Sequence, residues 1–128
     1  MFSLIKSAAK IAVLTMLLPF SSSFAADDVC NENEVGYVAT FEVKPGSEIA
    51  LEAALSDLAK AVNRLEPGVV LYAPFKGADG QYYMMERYQD EAARKVHASS
   101  DEVRALFGPL MNTLVGPPDV KPVSAVCS

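Results

Sequence analysis

The stretch MMERYQDEAARKVH, Met84 to His97, changes period in its middle. Up to Tyr88 it alternates, with Met84, Glu86 and Tyr88 on one face and Met85 and Arg87 on the other, as a strand does. From Asp90, a good N-cap residue, it reads as a short helix ending at His97, the only histidine of the chain. A strand feeding directly into a helix that carries a lone titratable ring fixes the centre of the domain. The rest of the chain is read outward from it.

Upstream, Gln81, Tyr82 and Tyr83 extend the strand, and KGADG (76–80) supplies a loop with two glycines. Before it, VVLYAPF (Val69 to Phe75) is apolar and β-branched enough for a partner strand, so the two form a hairpin. Leu51, Leu55, Leu58, Val62 and Leu65 recur at spacings of four and three, the apolar stripe of a helix of about 18 residues. Ser47 is its expected N-cap, backed by Glu48 and Glu52, and Pro67 and Gly68 stop it. EVGYVATFEV (Glu34 to Val43) opens the domain as a half-buried strand, with Val35, Tyr37, Ala39, Phe41 and Val43 on one face. Downstream, Ser99 with Glu102 has capping-box spacing, and Val103, Leu106, Phe107, Leu110 and Leu114 form the buried stripe of a last helix. Gly116 to Pro118 ends it, and VKPVSAV (Val120 to Val126) is a final short strand.

The order is β-α-β-β-α-β, which predicts an α+β, ferredoxin-like fold. In that topology the last strand lies antiparallel to the first, so the chain's two cysteines, Cys30 and Cys127, would meet. An even pair in an exported protein reads as a disulfide; closing a loop of this length contributes up to about 4 to 5 kcal/mol through chain entropy. Two exposed thiols, or a bridge between subunits, are the alternatives. Helices cover one sheet face only. Apolar side chains on both faces of the first and third strands make the open face the expected contact of a homodimer.

The start of the chain sets the address. Lys6 and Lys10, an apolar run from Ile11 to Leu18, and small residues at Ser23 and Ala25 have the layout of a secretory signal peptide. Residues 1–25 are therefore read as a leader and 26–128 as a single domain, periplasmic or secreted. The apolar run is shorter than the about 20 residues a membrane span needs, so no span is expected after leader removal. The leader holds two of the 11 basic residues and none of the 16 acidic ones, leaving a mature net charge of −7. That balance, with no basic run interleaved with aromatics, argues against nucleic acid as a partner. One histidine and a pair of cysteines fall short of a zinc site, and no G-x-S-x-G, phosphate loop or dinucleotide fingerprint occurs.

VKPG (43–46), EPGVVLYAPF (66–75) and above all ERYQDEAARKVHASSDEVRAL (86–106) resemble the antibiotic biosynthesis monooxygenase domain family over about 90 residues, Val35 to Val126. The resemblance implies a dimeric α+β barrel and cofactor-independent monooxygenase activity on quinol-like or polycyclic phenols, with molecular oxygen and no metal or flavin. Glu86 and His97 match the family pattern, and Tyr88 stands where the family often has tryptophan. On that reading the catalytic candidates are His97 as base, Glu86 and Tyr88, while Tyr72, Tyr82, Met84 and Phe107 are expected to wall an apolar pocket for a small aromatic molecule. Cofactor-free oxygenation needs a deprotonated phenol in a dry pocket, and an imidazole with an ordinary pKa near 6.5 suits the base. The structural alternative has His97 bonding a backbone carbonyl and Glu86 pairing with Arg87 or Arg94 at a dimer interface. A non-catalytic binder of hydrophobic molecules, and a haem-binding or haem-degrading protein using His97 as axial ligand, are the other functional readings the same residues allow.

Overall fold

The structure is a computed structural model that describes residues 31–126. The proposed leader, Cys30 and Cys127 lie outside the described residues. Seven elements follow one another: β1 (Val35–Phe41), α1 (Glu48–Leu65), β2 (Val69–Lys76), β3 (Tyr82–Tyr88), α2 (Glu91–Ser99), α3 (Asp101–Asn112) and β4 (Asp119–Ser124). The four strands make one antiparallel sheet in the order β2-β3-β1-β4, the ferredoxin-like arrangement expected from the sequence.

Register shows which residues share a face. Tyr37 pairs with Glu86, Ala39 with Met84 and Phe41 with Tyr82 across β1 and β3, and Tyr72 of β2 lies opposite Glu86. These side chains face the helices. Leu51, Leu55, Leu58, Ala59 and Val62 of α1 bury against them, together with Val103 and Leu110 of α3 and Leu114 beyond it. The α1 stripe closes one step earlier than its spacing suggests: Leu65 is exposed, and Ala59 joins the buried face instead. On the opposite sheet face Phe75, Met85 and Val123 are exposed. β4 is exposed along its whole length.

The caps differ in two details. Ser47 occupies the N-cap of α1 without a side-chain hydrogen bond; the Glu48 carboxylate instead accepts from the Gly46 amide at 3.3 Å. At the α2–α3 junction Ser100, not Ser99, is the cap, its hydroxyl oxygen accepting from the Val103 amide. Ser99 still belongs to α2 and turns its hydroxyl back onto the Lys95 and Val96 carbonyls. Asp90 caps α2 as expected, accepting from the Ala93 amide at 2.8 Å. Val35 pairs with Ser124, so the start of β1 and the end of β4 lie side by side. Among the described residues no helix is long and apolar enough to cross a membrane.

Because Leu55 is fully enclosed beneath α1 and Leu65 is not, the two leucines should respond differently to truncation. Leu55→Ala should cost about 2–5 kcal/mol, and Leu65→Ala within about 0.5 kcal/mol. Thermal unfolding of both variants checks this, and equal losses would mean that α1 buries a different face.

Candidate active site

Four elements converge on the ring of His97. Strand alternation puts Glu86 and Tyr88 of β3 on the helix side, and Tyr72 comes from the neighbouring strand. Arg94 and His97, three residues apart, share the inner face of α2. The fourth contribution is Glu66, the residue that ends α1. An acid there is unfavourable by the helix dipole, which prefers a cation at that end. Its placement is explained by a side-chain contact: the Glu66 Oε2 lies 2.8 Å from His97 Nδ1, with the two residues only 5% and 7% exposed.

A carboxylate on Nδ1 holds the proton of the neutral imidazole on that nitrogen and leaves Nε2 with its lone pair. The imidazole lines a cleft of about 210 Å³, whose walls include Ala39, Phe41, Leu58, Tyr72, Phe107 and Val120, with Glu86, Arg94, Ser100 and Arg104 as its polar groups. An oriented base with its free nitrogen on a cavity is the geometry in which a histidine takes a proton from a bound molecule.

The aromatic neighbours are close. The Tyr72 and Tyr88 rings stand 5.1 and 5.4 Å from the imidazole, centroid to centroid. Tyr88, fully buried, donates its hydroxyl to Glu86 Oε2 at 2.6 Å. Burial pushes the Glu86 carboxyl above its usual value; the Tyr88 hydrogen bond and the charges of His97 and Arg94 act downward without cancelling it. Burial, and then the charge of Glu86, raise both the Tyr72 and the Tyr88 phenols, so each stays protonated and able to donate. The Arg94 guanidinium lies over the Tyr37 ring at 4.8 Å and within 5.8 Å of the Tyr88 centroid.

The structure therefore brings His97, Tyr88, Glu86, Tyr72 and Phe107 to one place. Tyr82 and Met84 are elsewhere. Met84 is sealed in the core, and Tyr82, at the opposite end of β3, sends its hydroxyl to Glu52 of α1 at 2.7 Å, so neither walls the cleft. The alternative contacts drawn from sequence are not those formed: His97 bonds a carboxylate and not a backbone carbonyl, and Arg87 reaches Glu34 at 2.9 Å on the opposite sheet face. Glu66 and Arg104 were not expected here, and Arg94, expected only as an ion-pair partner of Glu86, lines the cleft without forming that pair. The out-of-place acid at the end of α1 was the available signal for the first. Among the described residues no group of three or more His, Cys, Asp or Glu side chains could hold a metal ion.

Comparison with known proteins places the family. A family model for antibiotic biosynthesis monooxygenases matches residues 35–108, from the first strand into α3 and through every residue of the Glu66–His97 centre. The chain belongs to the antibiotic biosynthesis monooxygenase family. Among solved structures, an antibiotic biosynthesis monooxygenase candidate from Caulobacter crescentus is 30% identical, with a TM-score of 0.69 over 74% of this chain and 92% of its own. Protein SO0527 from Shewanella oneidensis is 29% identical, with a TM-score of 0.65 over 74% and 93% of the two chains. Rv0793 from Mycobacterium tuberculosis is 25% identical, with a TM-score of 0.66 over 74% and 97%. No curated protein matches.

The raised carboxyl of Glu86 in this monooxygenase-family site has a consequence for stability. A carboxyl whose folded-state value lies above its unfolded 4.5 binds more protons folded than unfolded between those two values, so stability falls as pH rises through the interval. Glu86→Gln removes that loss while keeping an acceptor for the Tyr88 hydroxyl. The melting temperature of the variant, measured relative to wild type, should climb as pH rises above 4.5 and then level off; a difference that does not change with pH would contradict the raised carboxyl.

Proposed function

We propose that this protein is an exported, cofactor-independent monooxygenase that oxidises a quinol-like or polycyclic phenolic substrate with molecular oxygen. The observation that carries the reading is the Glu66–His97 pair, which leaves the second imidazole nitrogen free on an aromatic-lined cleft. Family membership supports monooxygenase chemistry in general, and the aromatic walls of the cleft support a compact aromatic substrate held against Tyr72 and Phe107.

On this reading His97 Nε2 takes the proton of the substrate and Glu66 steadies the resulting imidazolium. The electron-rich anion passes an electron to oxygen directly. For an anthrone-type substrate a ring CH2 becomes C=O: one oxygen atom of O2 enters the carbonyl, and the other leaves as water with the two hydrogens. The apolar walls keep bulk water from the anion.

The same reading includes a homodimer and a processed N-terminus. The exposed Phe75, Met85 and Val123 on the helix-free sheet face are the proposed contact between subunits. Removal of residues 1–25 delivers the chain to a periplasm or the exterior, where Cys30 and Cys127 form a disulfide. The pairing of Val35 with Ser124 supports a bridge within one chain.

Two experiments address these points. Purified mature protein should consume oxygen with hydroquinones or anthrone-like phenols. His97→Ala should lower kcat/KM by about 10²–10⁴-fold, and Glu66→Gln by about tenfold or more through loss of the Nδ1–H tautomer. Uptake that ignores His97→Ala would remove its role as base, and phenols that raise the melting temperature without any uptake would make the protein a binder. Separately, protein recovered from the exported fraction should begin near residue 26, weigh two hydrogens less than its reduced form, and run as a dimer in light scattering that Phe75→Glu converts to monomer. An unprocessed, reduced or monomeric wild type would overturn the corresponding part.

A further inference from the structure

Arg94 is not accounted for by the proton transfer described above. Its guanidinium is partly buried and lines the cleft. Among the described residues it meets no carboxylate within ion-pair distance and donates to no acceptor, and its Nε is fully buried without a hydrogen-bond partner. What holds it is aromatic: the faces of Tyr37 and Tyr88. A planar cation with five donors, fixed in direction by two rings and left without an acceptor, is costly in a partly desolvated place unless an anion arrives. Its cost is the more telling because the mature chain carries a net charge of −7, and acidic side chains to pair with it are abundant elsewhere on the surface.

The surroundings limit what that anion can be. Facing Arg94 are Tyr37 from β1, Tyr72 from β2, Glu86 and Tyr88 from β3, Glu66 from the end of α1, and His97 from its own helix; Arg104 of α3 stands at the rim, 3.4 Å from Asp101. Glu86 Oε2 accepts from the Tyr88 hydroxyl and Glu66 Oε2 lies against His97, leaving Glu66 Oε1 buried without a partner, and neither carboxylate comes within ion-pair distance of Arg94. The remaining walls are apolar, and the cleft's 210 Å³ is below the about 300 Å³ at which drug-sized sites begin. An anion that is itself a small aromatic ring fits this combination of one cation and apolar walls.

We propose that Arg94 binds the ionised oxygen of a phenol, so that the pocket takes its aromatic ligand as the phenolate and not as the phenol. The proton leaves the phenolic oxygen for His97 Nε2, and the guanidinium holds the oxygen anion that remains. Arg94 is thus a substrate-binding residue that selects the reactive ionisation state. This deepens the oxygenase reading and rests on it for the identity of the cleft as the substrate site.

The test uses 4-nitrophenol, whose phenolate has its own visible band, with 4-nitroanisole as a neutral ligand of the same shape. Titrated in the presence of saturating wild-type protein, bound 4-nitrophenol should ionise at least about one pH unit lower than free, a tenfold gain in phenolate over phenol. Arg94→Met should abolish the shift and weaken phenolate binding about tenfold while 4-nitroanisole binds as before. If Arg94→Met also loses 4-nitroanisole, Arg94→Lys decides: a retained downward shift supports the proposal, and its absence overturns it. An unshifted or raised value in wild type, or the same lowered value in Arg94→Met, overturns it outright. Oxygen uptake that depends on His97 with no shift would leave the oxygenase reading standing without this one, whereas a shift with no turnover of any phenol would do the reverse.

Discussion

The contact between Glu66 and His97 depends on how closely α2 can lie against the turn that joins α1 to β2. Gly68 sets that distance. A Cβ built on it would stand 2.5 Å from the Ala93 Cβ, in the first turns of α2, and there is no flexible side chain there to move aside. The Gly68 carbonyl accepts from the Gln89 amide at 2.9 Å and ties the end of β3 to the same turn. One small residue therefore lets the helix bearing His97 and Arg94 settle over the helix end bearing Glu66. The His97 ring, the carboxylate against its Nδ1 and the unpaired guanidinium all follow from that approach.

Much of this was legible in the sequence because the relevant signals are local. The alternation of β3, the three- and four-residue apolar spacing along the 18-residue α1 and the Asp90 cap each need only a few neighbouring residues to be read, and together they fix the element order. The face of Glu86 and Tyr88 follows from the same alternation. How far along that face the helices leave an opening does not. Tyr82, Met84, Glu86 and Tyr88 all point to the helix side, yet α1 and the core close over Met84 and a separate hydrogen bond takes Tyr82, so only the Glu86–Tyr88 end reaches the centre. Glu66 was hidden for a different reason. It meets His97 across 31 residues, and its only local trace is an acid where a helix end prefers a base.

The electrostatics of the site are arranged around one histidine. Glu66, Glu86 and Arg94 all lie close enough to act on it or on each other, and their signs do not cancel in pairs. Glu66 is committed to Nδ1. Glu86 is raised and shares a proton-bearing contact with Tyr88, which weakens its claim on Arg94. Two buried atoms here lack a hydrogen-bond partner, Arg94 Nε and Glu66 Oε1, and of the two residues only Arg94 lines the cleft, so the cation is the unmet group a bound molecule can reach, although the protein as a whole is acidic. An acidic surface also repels small anions at long range, whereas a neutral phenol is indifferent to it. Entry as the phenol followed by ionisation beside Arg94 reconciles the two.

Tyr88 stands where the resemblance read from the sequence leads one to expect tryptophan, and the geometry shows what a tyrosine provides there. An indole offers a flat apolar body and a single donor. Tyr88 offers a flat apolar body that packs at 5.4 Å from His97, and it uses its hydroxyl as a donor to Glu86. With its phenol pushed upward by burial and by Glu86, that hydroxyl stays protonated beside Arg94. Tyr88 thus places a protonated aromatic ring beside His97. Its hydroxyl also ties the ring to a carboxyl, so the placement of the ring beside His97 depends on a hydrogen bond as well as on packing.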